Sequence, residues 1–346
     1  MAKQKPSSAA PPRVSLKMLA EHLDLSPATV SFVLNNAPNR SIPQVTRDRV
    51  KAAAKKFGYR PNLIARSLRG TNTCTIGILL PVFGEGYHSQ VLEGAGDVFM
   101  KEGYFFFTAH HRHRKDLVAE YPQLLFSRGV EGILAIDTHL EEAPPSPTVA
   151  IASHTALPGV TNILLDSHRA AELTLGHLYR LGHRHIAFMQ GQEFSSDSHA
   201  RWKATLQVAR TLGLRVDPDL TIRLSKDMQS PELGYPGVQR LLARRRDFTA
   251  VVCFNDISAI GCIRALHDGG LRVPADVSVV GFDDILSASY HVPSLTTIRQ
   301  PLHTLGALAA TTLLKKMAHD PQPDSIHIEP ELVIRESTGL SPMKSP

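Results

Sequence analysis

The chain has 346 residues, is 42% hydrophobic and 20% charged, and carries a formal net charge of +6. That length exceeds a single core and suits a small module joined to one or two larger domains. No run of about 18 uncharged apolar residues occurs, which excludes a membrane-spanning helix, and three cysteines (Cys74, Cys253, Cys262) in or beside apolar runs fit neither a disulfide framework nor a zinc site.

The first 13 residues, MAKQKPSSAAPPR, are polar and proline-rich. They read as a disordered tail without the apolar segment of a signal peptide. With free thiols, this points to the cytoplasm. Charge is concentrated near this end. Residues 1–73 hold thirteen Lys and Arg against three acidic residues, a balance of +10, and the other 273 carry −4. A local basic excess suits a module that faces a polyanion.

Leu16 to Asn36, LKMLAEHLDLSPATVSFVLNN, reads as two short helices around a tight turn. Leu16, Leu19, Ala20 and Leu23 recur at helical spacing, and Asp24-Leu25 breaks the pattern. Ser26 is a good N-cap, with Pro27 at the first helical position, where a missing N–H costs nothing. Val30, Val33 and Leu34 give the second helix its apolar face. The pattern fits a helix-turn-helix, whose second helix can enter the DNA major groove, and also an ordinary helical hairpin. A third helix is expected over roughly 44–57, with Val45, Val50, Ala53, Ala54 and Phe57 on its core side and Gly58 ending it. Residues 14–60 thus form a three-helix headpiece. Residues 61–73 follow as a linker, where Pro61 opens a helix of about seven residues, too short to be stable alone.

From Thr75 onward, apolar, β-branched-rich runs alternate with helical patterns. The runs are Thr75–Leu80, Tyr104–Thr108, Gly132–Ile136, Thr148–Ala152, Asn162–Leu165, His185–Met189, Ala250–Phe254 and Val277–Phe282. Helices are expected near 88–101, 115–128, 168–181, 199–212, 232–245 and 256–268. Continuous apolar runs suit parallel strands buried on both faces, so this is an α/β fold, and its length favours two sheets. Ligands in such folds bind beyond the carboxyl ends of strands. That directs attention to 81–88, 137–139, Asp166, 191–201, Asn255-Asp256 and Asp283-Asp284.

Several motifs combine. Val14-Ser15-Leu16 stands with Ala20, Thr29-Val30-Ser31 with Val33-Leu34-Asn35, and Gly58-Tyr59-Arg60-Pro61-Asn62 with Ala65 and Ser67-Leu68. Further on come Leu181-Gly182-His183-Arg184-His185-Ile186-Ala187, Asn255-Asp256, Val279-Val280-Gly281-Phe282-Asp283-Asp284 and Leu295-Thr296-Thr297-Ile298-Arg299-Gln300. Over about Val14 to Gly339 the chain resembles the lactose-repressor (LacI/GalR) family of bacterial transcription regulators. The resemblance implies a DNA-binding headpiece, a hinge helix, and a core like that of periplasmic binding proteins. That core would span 74–340, with subdomain one from 74–165 and 294–320 and subdomain two from 166–293 and 321–340. Crossings would fall near Asp166, Pro293 and Asp320, and 341–346 would be a tail.

By the same resemblance Ser15, Leu16, Ser26, Thr29, Ser31 and Asn35 lie at DNA-contacting positions, where short hydroxyl and amide side chains suit phosphates. Pro27, Ala28 and Phe32 lie at base-reading positions. The family commonly has Arg at the position of Phe32. Phe can offer bases only apolar contact, for instance with a thymine methyl, or it packs between helices. Asn62, Ala65, Arg66 and Leu68 match the hinge, with Leu68 as a minor-groove wedge. Two wedges need a homodimer and a pseudo-palindromic double-stranded DNA operator. The absence of C-terminal heptads predicts a dimer rather than a coiled-coil tetramer.

The implied effector pocket holds Tyr87, His88, Asp166, Arg201, Asn255, Asp283 and Gln300. These groups suit a hydroxylated small molecule such as a sugar or related metabolite. Asp166 and Asn255 would serve equally as helix caps. No catalytic residue, metal ligand or further cofactor is expected. Gly84-Glu85-Gly86-Tyr87-His88-Ser89 lacks the third glycine of a dinucleotide fingerprint, and His110-His111-Arg112-His113 reads as a solvated turn. The alternative function is a non-regulatory binding protein of the periplasmic type, which leaves the basic headpiece unexplained. Leu68→Ala is expected to lower specific operator affinity and DNA bending while leaving nonspecific binding nearly unchanged, as measured by gel shift and a bending assay.

Overall fold

The computed structural model describes residues 14–34, 41–59, 72–84, 86–225 and 230–342. The chain divides into two compact units, one ending at Thr73 and the other beginning at Cys74.

The first unit holds α1 (Leu16–Leu23), α2 (Pro27–Leu34) and α3 (Gln44–Lys56). Ser15 caps α1, its Oγ accepting from the Met18 N–H at 3.2 Å, and Asp24 closes the helix in the left-handed region at φ 54°. Ser26 caps α2 by accepting from the Thr29 N–H at 3.1 Å. The core is Leu19, Ala20, Leu23, Val30, Val33, Val50, Ala53 and Ala54, with Leu16, Leu34 and Tyr59 packed against it. Arg49 ties α3 to the turn by donating to the Leu23 carbonyl at 3.2 Å. Two expected core residues of α3 are exposed, Val45 at 72% and Phe57 at 37%. Val45 sits in the first turn, before α3 reaches its neighbours. Phe57 lies just past the helix, edge-on to His22 with ring centroids 4.6 Å apart.

The second unit contains two six-stranded sheets among the described residues. In the first lobe β1 (Thr75–Leu80), β2 (Phe105–His110), β3 (Gly132–Ile136), β4 (Thr148–Ile151), β5 (Val160–Leu165) and β11 (Ser325–Ile328) are parallel, in the order β11-β5-β4-β3-β1-β2. The second lobe orders β12 (Glu331–Val333), β10 (Thr296–Arg299), β9 (Ser278–Asp283), β8 (Ala250–Val252), β6 (Ile186–Gln190) and β7 (Thr221–Arg223). Only β12 there is antiparallel, against β10. Helices α4 (Tyr87–Lys101), α5 (Lys115–Ser127), α6 (Ser167–Arg180), α7 (Ser196–Thr211), α8 (Tyr235–Leu242), α9 (Asp256–Asp268), α10 (Leu286–Tyr290) and α11 (Leu302–Met317) complete the unit. β1 and β3 are wholly buried, which is why they read as unbroken apolar runs.

The subdomain boundaries near Pro293 and Asp320 need correction. β10 pairs in parallel with β9 (Thr296↔Val280 to Arg299↔Asp283), so 294–299 belongs to lobe two. β11 pairs with β5 (Ser325↔Asn162 to Ile328↔Leu165), so the chain stays in lobe one until residue 328. The crossings are at Asp166, as expected, and at 299–302 and 328–331. All three leave from the β5/β11 and β10/β12 edges, so the cleft between lobes opens on the opposite side, towards β2 and β7.

The α4–α11 contact braces lobe one. A Cβ on Gly94 would lie 1.9 Å from the His303 carbonyl oxygen, and one on Gly306 would lie 2.0 Å from that of Val91. Gly94→Ala is therefore expected to force the two helices apart and cost about 1–3 kcal/mol, read as a lower midpoint in urea denaturation.

Candidate DNA interface and ligand cleft

In the headpiece, α2 turns Val30 and Val33 inward and leaves Pro27 and Ala28 exposed. Phe32 is half-buried but outside the apolar cluster, on the helix face opposite Val30 and Val33. Thr29 and Ser31 are also half-buried, and the Thr29 hydroxyl lies 2.9 Å from that of Ser26. Ser15 and Ser26 stand at helix N-termini, where free N–H groups and the helix dipole favour an anion. Leu16 is half-buried and packs against the headpiece core. Asn35, Asn62, Ala65, Arg66 and Leu68 lie outside the described residues.

In the core unit, the carboxyl ends of the strands converge on the cleft. Tyr87, His88, Asp137 and Ala152 come from lobe one, and Gln192, Phe194, Asp197, Arg201, Phe254, Asn255 and Asp283 from lobe two. Five of the expected seven residues thus line one space. Gln300 stands behind it, donating from Nε2 to Asp283 Oδ1 at 2.7 Å. Asp166 does not line it; its carboxylate caps α6 by accepting from the Arg169 N–H at 2.9 Å. Asn255 does both jobs. Its Oδ1 accepts from the Ser258 N–H at 2.9 Å in a capping box, and its side chain still borders the cleft.

Arg201 organises the cleft electrostatically. Its guanidinium pairs with Asp197 one helical turn earlier, donates to the Phe254 carbonyl at 3.1 Å and lies 3.8 Å over the Phe282 ring. Asp197 also receives His154 from lobe one, with Nε2 2.5 Å from Oδ1, a direct tie between lobes. Burial pushes the Asp197 carboxyl up, but Arg201 and His154 outweigh this and hold it at about 2. Asp283 is 5% exposed, and there burial wins. Burial raises its pKa to about 7 against the opposing pull of Arg201 and Gln300. Asp256, beneath it, is fully buried between Thr297 Oγ1 (2.6 Å) and the Ile285 N–H (2.9 Å), and burial also raises its pKa well above the usual range.

Three cleft atoms are buried without hydrogen-bond partners: Tyr87 Oη and both ring nitrogens of His88. His88 Nε2 stands 3.6 Å from Asp137 Oδ2, beyond hydrogen-bond reach. Positive φ angles at non-glycine residues gather here too, at Asp137 (45°), Ala152 (58°), His154 (50°), Asp283 (115°) and Asp284 (57°). Such strain persists where the surroundings hold it and marks functional sites. Gly86 (φ 100°) closes the floor, because a Cβ there would meet Ile285 Cγ2 of lobe two at 2.9 Å. The selected residues omitted Asp137, His154 and Asp197. Asp197 was legible as an i,i+4 partner of Arg201 on one helix. His154 was not, since it arrives from the other lobe. The expected solvated turn at 110–113 is instead partly structural: His111 is buried, with Nε2 2.9 Å from Thr138 Oγ1.

Residues 15–62 match the bacterial regulatory proteins, lacI family, and residues 175–338 match a periplasmic binding protein-like domain. Over 333 residues the chain is 31% identical to the HTH-type transcriptional regulator RegA of Clostridium saccharobutylicum, across 94% of this chain and 99% of that protein. The chain belongs to the LacI family. It is a DNA-binding transcription regulator. It is also 29% identical over 334 residues to the HTH-type transcriptional repressor PurR of Haemophilus influenzae, across 93% of this chain and 98% of that protein. Among solved structures, the Lac repressor bound to ONPG in the repressed state superposes with a TM-score of 0.81 at 25% identity, covering 94% of this chain and 100% of that one. No helix among the described residues is long and apolar enough to cross a membrane.

The raised Asp283 pKa fixes the sign of a pH effect. Between about pH 4 and 7 the native protein holds a proton that the unfolded chain releases, so the stability Asp283 contributes falls as pH rises through that window. The shift corresponds to on the order of 4 kcal/mol. Asp283→Asn is expected to flatten the decline in melting temperature between pH 5 and 7.5, with a residual slope from Asp256.

Proposed function

We propose that this LacI-family regulator is a cytoplasmic homodimeric repressor of a pseudo-palindromic operator, controlled by a small hydroxylated effector in the cleft. The effector acts without a further cofactor, and the protein has no catalytic activity. In the headpiece, Ala28 and Phe32 face base edges while the hydroxyls of Ser15, Ser26, Thr29 and Ser31 fix register on phosphates. Phe32 offers an apolar surface to a thymine methyl, where an arginine would read guanine.

The carrying observation is that polar groups of both lobes line one space, where Tyr87 Oη and the His88 ring nitrogens of lobe one are buried without hydrogen-bond partners. A hydroxylated ligand supplies partners for Tyr87 Oη and His88 from lobe one and adds hydrogen bonds to Arg201, Asn255 and Asp283, which line the same space from lobe two. It thereby favours one separation of the lobes over others, and a binding difference of about 1–3 kcal/mol suffices for regulation. The response is assigned to the linker at 61–73, most of which lies outside the described residues and whose sequence predicts a helix of about seven residues, too short to be stable alone.

The test is selection of bound genomic DNA by the full-length protein, followed by gel shift at moderate salt. An inverted repeat with half-sites one or more helical turns apart is expected; uniform binding across fragments would overturn the reading. Arg201→Ala is expected to lose the response of operator binding to effector-containing cell extract, read by gel shift with the parent protein alongside.

A further inference from the structure

Two contacts across the cleft are made by histidines of lobe one. His154 Nε2 stands 2.5 Å from Asp197 Oδ1, and the rings of His113 and Phe194 meet with centroids 4.3 Å apart. Asp197 divides its oxygens between the lobes. Oδ2 pairs with Arg201, one turn further along α7, and Oδ1 takes His154. The Arg201 pair lies within a single helix, so it stays made at any separation of the lobes. Burial raises the Asp197 carboxyl, and Arg201, ahead of His154, brings it down to about 2, so it carries its charge throughout the physiological range. The partner from lobe one is the one that can change state, because an imidazole gains or loses its charge between about pH 5 and 8. Its side chain is 23% exposed, open to exchange of a proton with water, while that of Asp197 is 12% exposed. The loop that presents it is braced. Thr155 accepts at its carbonyl from Asn162 Nδ2 at 2.9 Å, and its hydroxyl lies 3.1 Å from His139 Nδ1.

We infer that His154 is a proton-operated latch between the lobes: as an imidazolium it bridges to the Asp197 carboxylate and holds this separation of the lobes, and once its proton passes to water the bridge falls to a neutral hydrogen bond and the lobes part more readily. Charge-assisted hydrogen bonds are roughly twice as strong as neutral ones. Salt screens a partly buried pair of this kind only weakly. Acid thus favours this lobe separation and base loosens it. The latch rests on contacts within the core and goes beyond the proposed function; where that function holds, acidity becomes a second input to the separation an effector selects. The other charged and titratable groups around the pair are Arg201 on α7, Tyr87 and His88 at the start of α4, Asp137 and His139 after β3, and Asp283 at the end of β9. Tyr87, its phenol raised well above the usual range by burial, stays neutral. Asp283, raised to about 7 by burial, gains its charge as pH rises. That negative charge favours a cation nearby and draws on Arg201, so it tightens the latch. His88 and His139, gaining charge in acid, repel the imidazolium and loosen it. These neighbours therefore oppose His154, and the sign of the pH dependence separates them from it.

Hydrogen–deuterium exchange of the full-length protein tests the latch, read by mass spectrometry on peptides covering 152–157 and 193–199 between pH 5.5 and 8. His154→Gln keeps a neutral donor at the same position, and comparing parent and variant at each pH cancels the intrinsic pH dependence of exchange. The parent is expected to exchange about threefold more slowly than His154→Gln at pH 5.5 and at the same rate at pH 8, as local opening follows the strength of the bridge. His154→Asn suits the left-handed backbone at φ 50° and is too short to reach Asp197, so it should also exchange faster than the parent at pH 5.5. It replaces the glutamine variant if that one fails to fold, with circular dichroism as the check. His113→Phe keeps the ring contact with Phe194 and removes the other histidine that crosses the cleft, which sits among His111, Lys115, Glu193 and His199. It should retain the parent's pH dependence. The latch is overturned if parent and His154→Gln exchange alike at pH 5.5, if the parent's advantage grows towards pH 8, or if His113→Phe abolishes the difference. Operator binding does not enter this readout, so failure of the latch leaves the regulator reading standing, and loss of sequence-specific DNA binding leaves the latch standing.

Discussion

A buried guanidinium governs the cleft. Taking Arg201 out of water is affordable only with carboxylates close by, since an isolated buried charge is far too costly. Asp197 fills that need in full and stays ionised. Asp283, within the same field, does not, and its proton is held at about pH 7. The site therefore contains a fixed ion pair beside an adjustable carboxyl. Because His154 reaches Asp197 from the opposite lobe, the same ion pair is also part of what sets the distance between lobes.

Topology ties that local balance to the two lobes as wholes. The three crossings lie together at one edge of both sheets, so lobe one and lobe two are joined along a line rather than at a point. Within lobe one, the glycine contacts of Gly94 and Gly306 lock α4 to α11, and α4 begins at Tyr87 and His88, on the cleft. Tyr87 and His88 are thus carried on a closely packed helix pair rather than on a loop. Gly86 against Ile285 allows the two lobes to touch at van der Waals distance at that point.

Much of this was legible in the residues. β1 and β3 match their apolar runs because strands buried on both faces leave an unbroken signal. The sheet membership of β10 and β11 was not legible, because each is four residues long, and β11 pairs with β5, far away in sequence. α11 did carry a signal, with Leu302, Leu305, Ala309 and Leu313 at helical spacing, but no helix was expected there. In the headpiece Val45 and Phe57 were placed in the core because periodicity gives a face but not where that face stops meeting a neighbour. In the cleft, Tyr87, His88, Arg201, Asn255 and Asp283 come together as the family pattern implied. Asp166 is spent on a helix cap, and Gln300 supports Asp283 from behind. The contribution of His154 depends on the closeness of two lobes, which no local pattern encodes.

The crossings also bear on synthesis. Lobe one lacks its covering helix and its edge strand β11 until residues 302–328 have left the ribosome, and lobe two waits for β12 at 331–333. Neither lobe can be released as a finished unit while the other is still being made, so both must reach their native packing almost simultaneously, at the last moment of translation. A nascent chain stopped anywhere before residue 325 would leave two open sheet edges, a template for aggregation. The headpiece, whose core is complete by residue 59, carries no such debt.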